Sequence, residues 1–536
     1  MTLGLDPKDW FLADRGNPDT QVSLFTTGNQ VKCLVDGQEY MQGLNDLLNS
    51  AGAGDYFYYV GLELNLDIRL VHGDSQSAIG KVLKRARQRK VDIRVMLSGN
   101  VGHANTPTYK TLRGAPYPIE CILDCRFRFA TIGTAHQKFA LLLTDKAEGP
   151  AAERLAAKEL HAWCGGIDVT IDRWDDEHHT RQPKRQYKDF PAGWHDVHTF
   201  IRGPACRDLH IAFRERWNNP ERPQWDETNY TPISTAIPAS AVPVAGKHFV
   251  QVLRTFPCGY LSTRRVVAAG ALSAVGATLF GLIELARSNV TYPFATKGEF
   301  SAGKACLKAI HQAQDLIYIE DQYFYSSEIA SALCDELLAK PELRVIVLVA
   351  REPIADKTPE VQNYYHARTL DLVHKRLKGT AGEDHFAIYD IGNKGVDPEQ
   401  IYVHAKLMIV DDIWVEIGSM NCNRRSMTHD LESCVAVVDG DTVPVTYGTY
   451  REACKFARDL RLRLWADHLG TVPSDPQIEN PQVGFATWME TASSEAFQVR
   501  FHSAAKDRDD GILVWRTLNV VDPQGTCSGV PPIPDP

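Results

Sequence analysis

The 536-residue chain lacks a basic excess: 58 lysines and arginines stand against 67 aspartates and glutamates, a net charge of −9. A protein that lives on nucleic acid advertises a positive surface, so that class is disfavoured, although a local basic groove stays compatible with the count. Paired cysteines are lacking too. Of 12, only Cys121 and Cys125 stand close together, which is neither a disulfide framework nor a metal-ligand spacing. Free thiols in a reducing compartment are the simpler reading. The first 16 residues carry Asp6, Lys8, Asp9, Asp14 and Arg15 without an apolar core, so no Sec-type signal peptide is expected. There is one long uncharged run, the 18 residues 266–283. It reaches the length of a membrane span, but its Ala, Gly, Ser and Thr content favours a packed or surface-lying helix. What is present is an ordinary globular composition, 44% hydrophobic and 23% charged, with length for three or four domains or fewer large ones.

One order of elements occurs twice, about 250 to 270 residues apart. In the first half 55–62 reads as a buried strand, 78–90 as a helix and 92–97 as a strand; 315–324, 328–339 and 343–349 repeat that order. Each half then reaches a His-x-Lys strand and a Gly-containing turn, over 136–168 and 404–421. The pattern predicts an α/β fold of two lobes, each a mixed sheet flanked by helices, related by a pseudo-twofold axis with a site at their interface. Prolines at 220, 223, 232, 238 and 243 break the segment between the halves. The chain therefore divides into 1–245, 246–470 and a tail, 471–536, whose end is irregular. Aromatic clusters at 56–59 and 323–325 fall in predicted strands and belong to the core rather than to base stacking.

The sharpest chemical signal is His404-Ala-Lys406-Leu-Met-Ile-Val-Asp411, followed by Gly418-Ser419-Met-Asn421 and Glu432. A lone histidine on a strand is usually structural. Here alternation puts His404 and Lys406 on one strand face, where an imidazole and an ammonium address one small anion. Ser419 and Asn421 add neutral hydrogen bonds to the same oxygens, and a carboxylate such as Glu432 fixes an imidazole tautomer. The first half repeats the set as His136-Gln-Lys138 and Gly165-Gly166-Ile-Asp168. Two histidines, two lysines and two polar turns make a positive pocket suited to a phosphodiester. Lysines stabilise the non-bridging oxygens while histidines act as nucleophile and acid. This chemistry requires no metal and no cofactor.

On these residues the chain resembles the phospholipase D superfamily, whose mark is two copies of His-x-Lys-x4-Asp. Segments 402–412, 317–324, 165–168, 194–198 with 203–205, 251–255 and 464–470 carry further likeness, which covers about residues 50–470. The resemblance implies that His136 attacks phosphorus to give a phosphohistidine and that His404 protonates the departing alcohol, then activates water or a second alcohol. Pseudo-symmetry leaves open which histidine attacks. It also implies that Lys138, Lys406 and Asn421 hold the phosphate, with Asp168 at the corresponding turn, that Asp196 and Glu432 orient the histidines, and that Asp411 completes the motif. One position departs: the fifth residue after Lys138 is Leu143, not Asp, and Asp145 lies two further along the same strand face. That leaves a degenerate first half as a minority reading.

The expected activity is hydrolysis of glycerophospholipids at the headgroup side, giving phosphatidic acid and a free alcohol, with transfer to an acceptor alcohol as a side activity. The alternatives are a nuclease or other phosphodiesterase of the same superfamily, a phosphatidyl transferase like cardiolipin synthase, and a non-catalytic binding protein. Retention of both His-Lys pairs speaks against the last. The expected partner is a phospholipid membrane surface, not nucleic acid. The compact, leaderless chain is similar to bacterial phospholipases delivered by type VI secretion, which implies synthesis in the cytoplasm, non-Sec export, a carrier and an immunity protein.

Overall fold

A computed structural model describes residues 6–99, 105–114, 116, 118–127, 133–145, 158–179, 193–223, 226, 228–234, 237, 239–258, 291–351, 359–393, 401–494 and 499–502. The uncharged run 266–283 and the terminal 529–536 lie outside them.

The repeat read from the sequence is a repeat of strands. The first half supplies β1 (Thr26–Val35), β2 (Tyr56–Gly61), β3 (Asp92–Ser98), β4 (Glu120–Asp124), β5 (Phe139–Asp145), β6 (Lys158–Gly165) and β7 (Val197–Arg202). The second supplies β8 (His248–Phe256), β9 (Leu316–Asp321), β10 (Arg344–Val349), β11 (Phe386–Ile391), β12 (Lys406–Val410), β13 (Trp414–Gly418) and β14 (Glu432–Val438). Their spatial orders are the same, β1-β7-β6-β5-β2-β3-β4 and β8-β14-β13-β12-β9-β10-β11, and the two sheets meet where β1 pairs antiparallel with β8. In each half the last three strands of that order run parallel and the other pairings are antiparallel.

Local sequence explains these elements. Along β2, Phe57 and Tyr59 enter one apolar cluster and Tyr58 and Val60 another, so this strand is buried on both faces and reads as a continuous apolar run. The helix Ile79–Gln88 buries Ile79, Val82, Leu83 and Ala86, the i, i+3, i+4, i+7 stripe that lays one face on a sheet. Two expectations need correction. β9 ends at Asp321, so Tyr323 to Tyr325 lie beyond it: Phe324 takes a positive φ of 48°, and Asp321 accepts the amides of Tyr323 and Phe324, turning the chain off the sheet. The segment assigned to a tail contributes the helix Pro481–Ser493, which buries Trp488, and the strand Val499–Phe501, which pairs with β11. No helix among the described residues is long and apolar enough to cross a membrane.

Two crossings tie the halves together. Strand Ile401–Val403 pairs parallel with Gly193–His195, and Ala135 bridges Leu431. Each lies immediately before a motif histidine.

Candidate active site

These crossings position the histidines. The amide of His404 donates to the carbonyl of His195 at 2.7 Å, and that of His136 to the carbonyl of Leu431 at 3.0 Å. Neither histidine is on a strand as expected, because β5 begins at Phe139 and β12 at Lys406. Each stands in the crossing, held by backbone from the opposite half.

The rings are held in the same reciprocal way. His404 Nδ1 lies 2.6 Å from Asp196 Oδ2, and His136 Nδ1 lies 3.0 and 3.1 Å from the two Glu432 oxygens. Asp196 belongs to the first half and Glu432 to the second, so each imidazole takes its carboxylate across the interface. With Nδ1 bound to a carboxylate, Nε2 of each ring is the nitrogen left for chemistry. Burial, then the neighbouring motif lysine, pushes both histidines well below the usual range. Burial lifts Asp196 and Glu432 up to about 7. Each ring and carboxylate therefore forms a dyad that exchanges one proton near neutrality.

Lys138 and Lys406 fold back to donate to the carbonyls of His136 and His404 respectively. Burial brings Lys406 down to about 8. The four groups share one field: His404 feels Lys138 and His136, and His136 feels Lys406. Gly166 makes room for one dyad, since a Cβ there would sit 2.1 Å from Asp196 Oδ1.

Three of the predicted residues are engaged by protein groups. Asp411, grouped with the catalytic residues, is not at the site. It occupies the turn after β12 at a φ of 54°, five residues and roughly 16 Å along an extended strand from Lys406, and it accepts the amides of Gln314, Asp315 and Leu316 at 2.7 to 2.8 Å. Asp168 supports the site from its turn: its Oδ2 pairs with Lys138 at 3.3 Å and its Oδ1 accepts the Leu62 amide at 2.9 Å, so it neutralises and locates that lysine. Ser419 donates its hydroxyl proton to Glu432 Oε2 at 2.5 Å and so steadies that dyad. Asn421 is buried beside the second motif with its Oδ1 unpartnered; holding a phosphate oxygen, the role expected of it, calls on its Nδ2 donor.

Sequence reasoning missed Arg173, Gln322 and His195. The Arg173 guanidinium stacks 4.0 Å from the centroid of Trp194, whose ring lies 5.1 Å from that of His404, and its charge depresses His404 and Lys406. Gln322 Oε1 accepts from Lys406 at 3.4 Å. Arg173 follows the Gly165 to Asp168 turn by five residues and Gln322 follows β9; only their place in the repeat could have marked them. His195 comes within 4.8 Å of two sets of buried His and carboxylate groups, yet both its ring nitrogens contact carboxylates, at 3.0 and 2.8 Å. Neither offers a lone pair to an ion.

The family model described as phospholipase D matches residues 124–365 and 391–525, and one described as cardiolipin synthase, PLD-like domain, matches 306–446. Among curated proteins the chain is 23% identical over 516 residues to phospholipase D alpha 2 of Arabidopsis thaliana, covering 77% of this chain and 61% of that protein. It is 26% identical over 500 residues to phospholipase D delta of the same plant, covering 76% and 55%. Phospholipase D1 of Saccharomyces cerevisiae is 24% identical over 586 residues, covering 92% and 32%. The chain thus spans about three-fifths or less of the length of these relatives. The solved phosphatidylserine synthase of Haemophilus influenzae Rd KW20 superposes with a TM-score of 0.44 at 13% identity, covering 76% of this chain and 82% of that one.

Proposed function

The chain belongs to the phospholipase D family, and from that premise we propose that it hydrolyses the headgroup-side phosphodiester of glycerophospholipids through a phosphohistidine. The observation that carries this reading is the reciprocal pair of dyads, each imidazole held at Nδ1 by a carboxylate of the other half. Nε2 of one histidine attacks phosphorus, and the bond from phosphorus to the headgroup oxygen breaks as that oxygen takes a proton from Nε2 of the other. The phosphatidyl group rests on the first histidine. The second, now neutral, removes a proton from water, whose oxygen displaces the histidine to give phosphatidic acid; an alcohol in place of water gives transfer. Lys138 and Lys406 stabilise the charge gathering on the non-bridging oxygens, with Asn421 as a neutral contact. His136 takes the nucleophile's part and His404 the acid's, because 15% of the His136 side chain is exposed against 4% for His404. The His136 ring is thus the one a phosphorus centre reaches more readily.

The pH dependence follows from the dyads. Each gains a proton as pH falls through about 7, because burial lifts its carboxylate to about that value. The nucleophile's dyad must lack that proton and the acid's dyad must carry it. Activity therefore falls on both sides of neutrality, by protonation of the first at low pH and deprotonation of the second at high pH. The test measures release of phosphatidic acid and headgroup from mixed phospholipid vesicles between pH 5 and 9, for wild type and His404→Ala, beside digestion of DNA and RNA. A bell centred near pH 7 on lipid, lost in the variant, supports the reading. His404-dependent cutting of nucleic acid without lipid turnover would replace it with a nuclease.

A further inference from the structure

Beneath His404 lies a charged cluster built around a second buried histidine. His195 is fully buried, with Nδ1 3.0 Å from Asp36 Oδ1 and Nε2 2.8 Å from Glu320 Oε2. An imidazole placed between two carboxylates satisfies both only by carrying a proton on each nitrogen. Asp36 comes from the first half and Glu320 from the second, so one ring joins the halves. The backbone around it reaches the site directly. The His195 carbonyl accepts the His404 amide at 2.7 Å; Asp196, next in the chain, holds the His404 ring; and Asp36 accepts the Asp196 amide at 3.3 Å and donates its own amide to the Asp196 carbonyl at 2.8 Å. Glu320 stands two residues before Gln322, the partner of Lys406.

At the equivalent place in the other half, the residue before Glu432 is Leu431, fully buried in an apolar cluster with Phe127, Phe256, Tyr292 and Phe294. One motif histidine therefore rests on a buried histidine held between two carboxylates, and the other on Leu431 and its apolar neighbours with the Arg425–Asp430 pair beside it.

We propose that His195, held as a permanent imidazolium between Asp36 and Glu320, is a positioning residue that fixes Asp196 and His404 for the proton-transfer half of the reaction. It touches no substrate. It acts through its carbonyl and its chain neighbour, and together with His179 beside Asp36 and His468 beside Glu320 it offsets the burial of the two carboxylates. The ionisable groups facing the cluster are His179, whose Nε2 lies 3.7 Å from Asp36 Oδ2, and Asp175 beyond it at 3.3 Å from His179 Nδ1. On the far side His468 Nε2 lies 3.0 Å, and the Tyr318 hydroxyl 2.6 Å, from Glu320 Oε1. Among these the carboxylates nearest His195 favour the charged ring, and its proton affinity stands well above the usual histidine value despite burial.

The inference rests on the phosphodiesterase reading for its kinetic arm only. With ¹⁵N-histidine labelling of the full chain, the His195 side chain is expected to give two protonated ring nitrogens unchanged from pH 5.5 to 9, while the dyad histidines titrate. This wild-type measurement needs neither turnover nor a variant that folds. Glu320→Gln, which keeps shape and removes charge, is expected to lower kcat 10- to 100-fold with KM within twofold, and to shift the alkaline limb of the pH profile toward lower pH as the His404 dyad loosens. A neutral His195 ring at pH 7, or a Glu320→Gln protein that melts earlier yet keeps wild-type kcat and pH profile, would overturn the proposal, as would a divalent ion found in stoichiometric amount with the purified protein. A wild type silent on every diester, with the imidazolium signal intact, would refute the phosphodiesterase reading and leave the charged brace standing.

Discussion

The two halves reach the same arrangement of His, Lys and carboxylate by different means. In the first, Lys138 is neutralised by Asp168 at 3.3 Å; in the second, Asn421 stands at the corresponding turn, and among the described residues Lys406 makes no ion pair within 4 Å, only contacts with the His404 carbonyl and Gln322. Gly166 lies against Asp196 where Ser419 hydrogen-bonds Glu432. The motif residues thus repeat between the halves while their supports differ. The consequence is a graded pocket: a cation already offset by a fixed carboxylate on one side, and on the other a buried lysine brought down to about 8 by desolvation. The second is the stronger attractor for an incoming anion, because less fixed negative charge competes for it.

The largest effects expected are at the histidines. His136→Ala and His404→Ala should each lower kcat by at least about 10³-fold on phospholipid, since neither half-reaction proceeds without its nucleophile or acid. A substrate whose leaving group is a phenol of low pKa separates them. It needs no proton from the acid, so it should restore much of the activity of His404→Ala and none of that of His136→Ala. Rescue of His136→Ala instead would exchange the two roles. Next come the lysines, where the comparison predicts unlike outcomes. Both Lys138→Met and Lys406→Met should lose phosphate stabilisation, but Lys138→Met also leaves Asp168 buried without its cation. Its loss of stability in a denaturant titration should exceed that of Lys406→Met by about 2 kcal/mol. Equal losses would mean that Asp168 is satisfied by the Leu62 amide alone.

How far the sequence revealed this can be read from particular residues. The halves, their repeated order of elements and the motif residues gathered at the site were legible because a repeated His-x-Lys and a repeated Gly-containing turn encode the same local geometry twice. The reciprocity was not legible. Asp196 and Glu432 were matched to the histidines by resemblance, but that each crosses to the opposite half depends on the pairing of 193–195 with 401–403 and of Ala135 with Leu431, contacts about 210 and 300 residues apart that no local pattern encodes. The distance of Asp411 from the histidines was not legible for a related reason. Motif spacing gives distance along a chain, and along a strand five residues carry a side chain from one end of the sheet to the other.

The same geometry answers for Leu143 and gives the smallest effects. The second hairpin is tight: β12 ends at Val410, and Asp411 and Asp412 both take positive φ, 54° and 55°, so the fifth residue after the lysine falls in the turn, where a carboxylate gathers three amides. The first hairpin is longer. β5 runs on to Asp145, and Leu143 lies within it, paired with Tyr56 and Leu160. There the start of β2 is tied by Asp55, which accepts from Thr144 at 3.1 Å and pairs with Lys158 at 2.7 Å, while Asp145 joins the same lysine at 3.1 Å. An aspartate at 143 would lie within a strand between Tyr56 and Leu160 and not in a turn among three amides, so the departure from the motif goes with the different hairpin. Asp411→Leu should therefore cost about 2 kcal/mol in stability by leaving buried amides unpaired. Leu143→Asp should cost about 1 kcal/mol through lost strand packing, with kcat on vesicles within twofold of wild type. A gain in turnover from Leu143→Asp would show that the first half is degenerate after all.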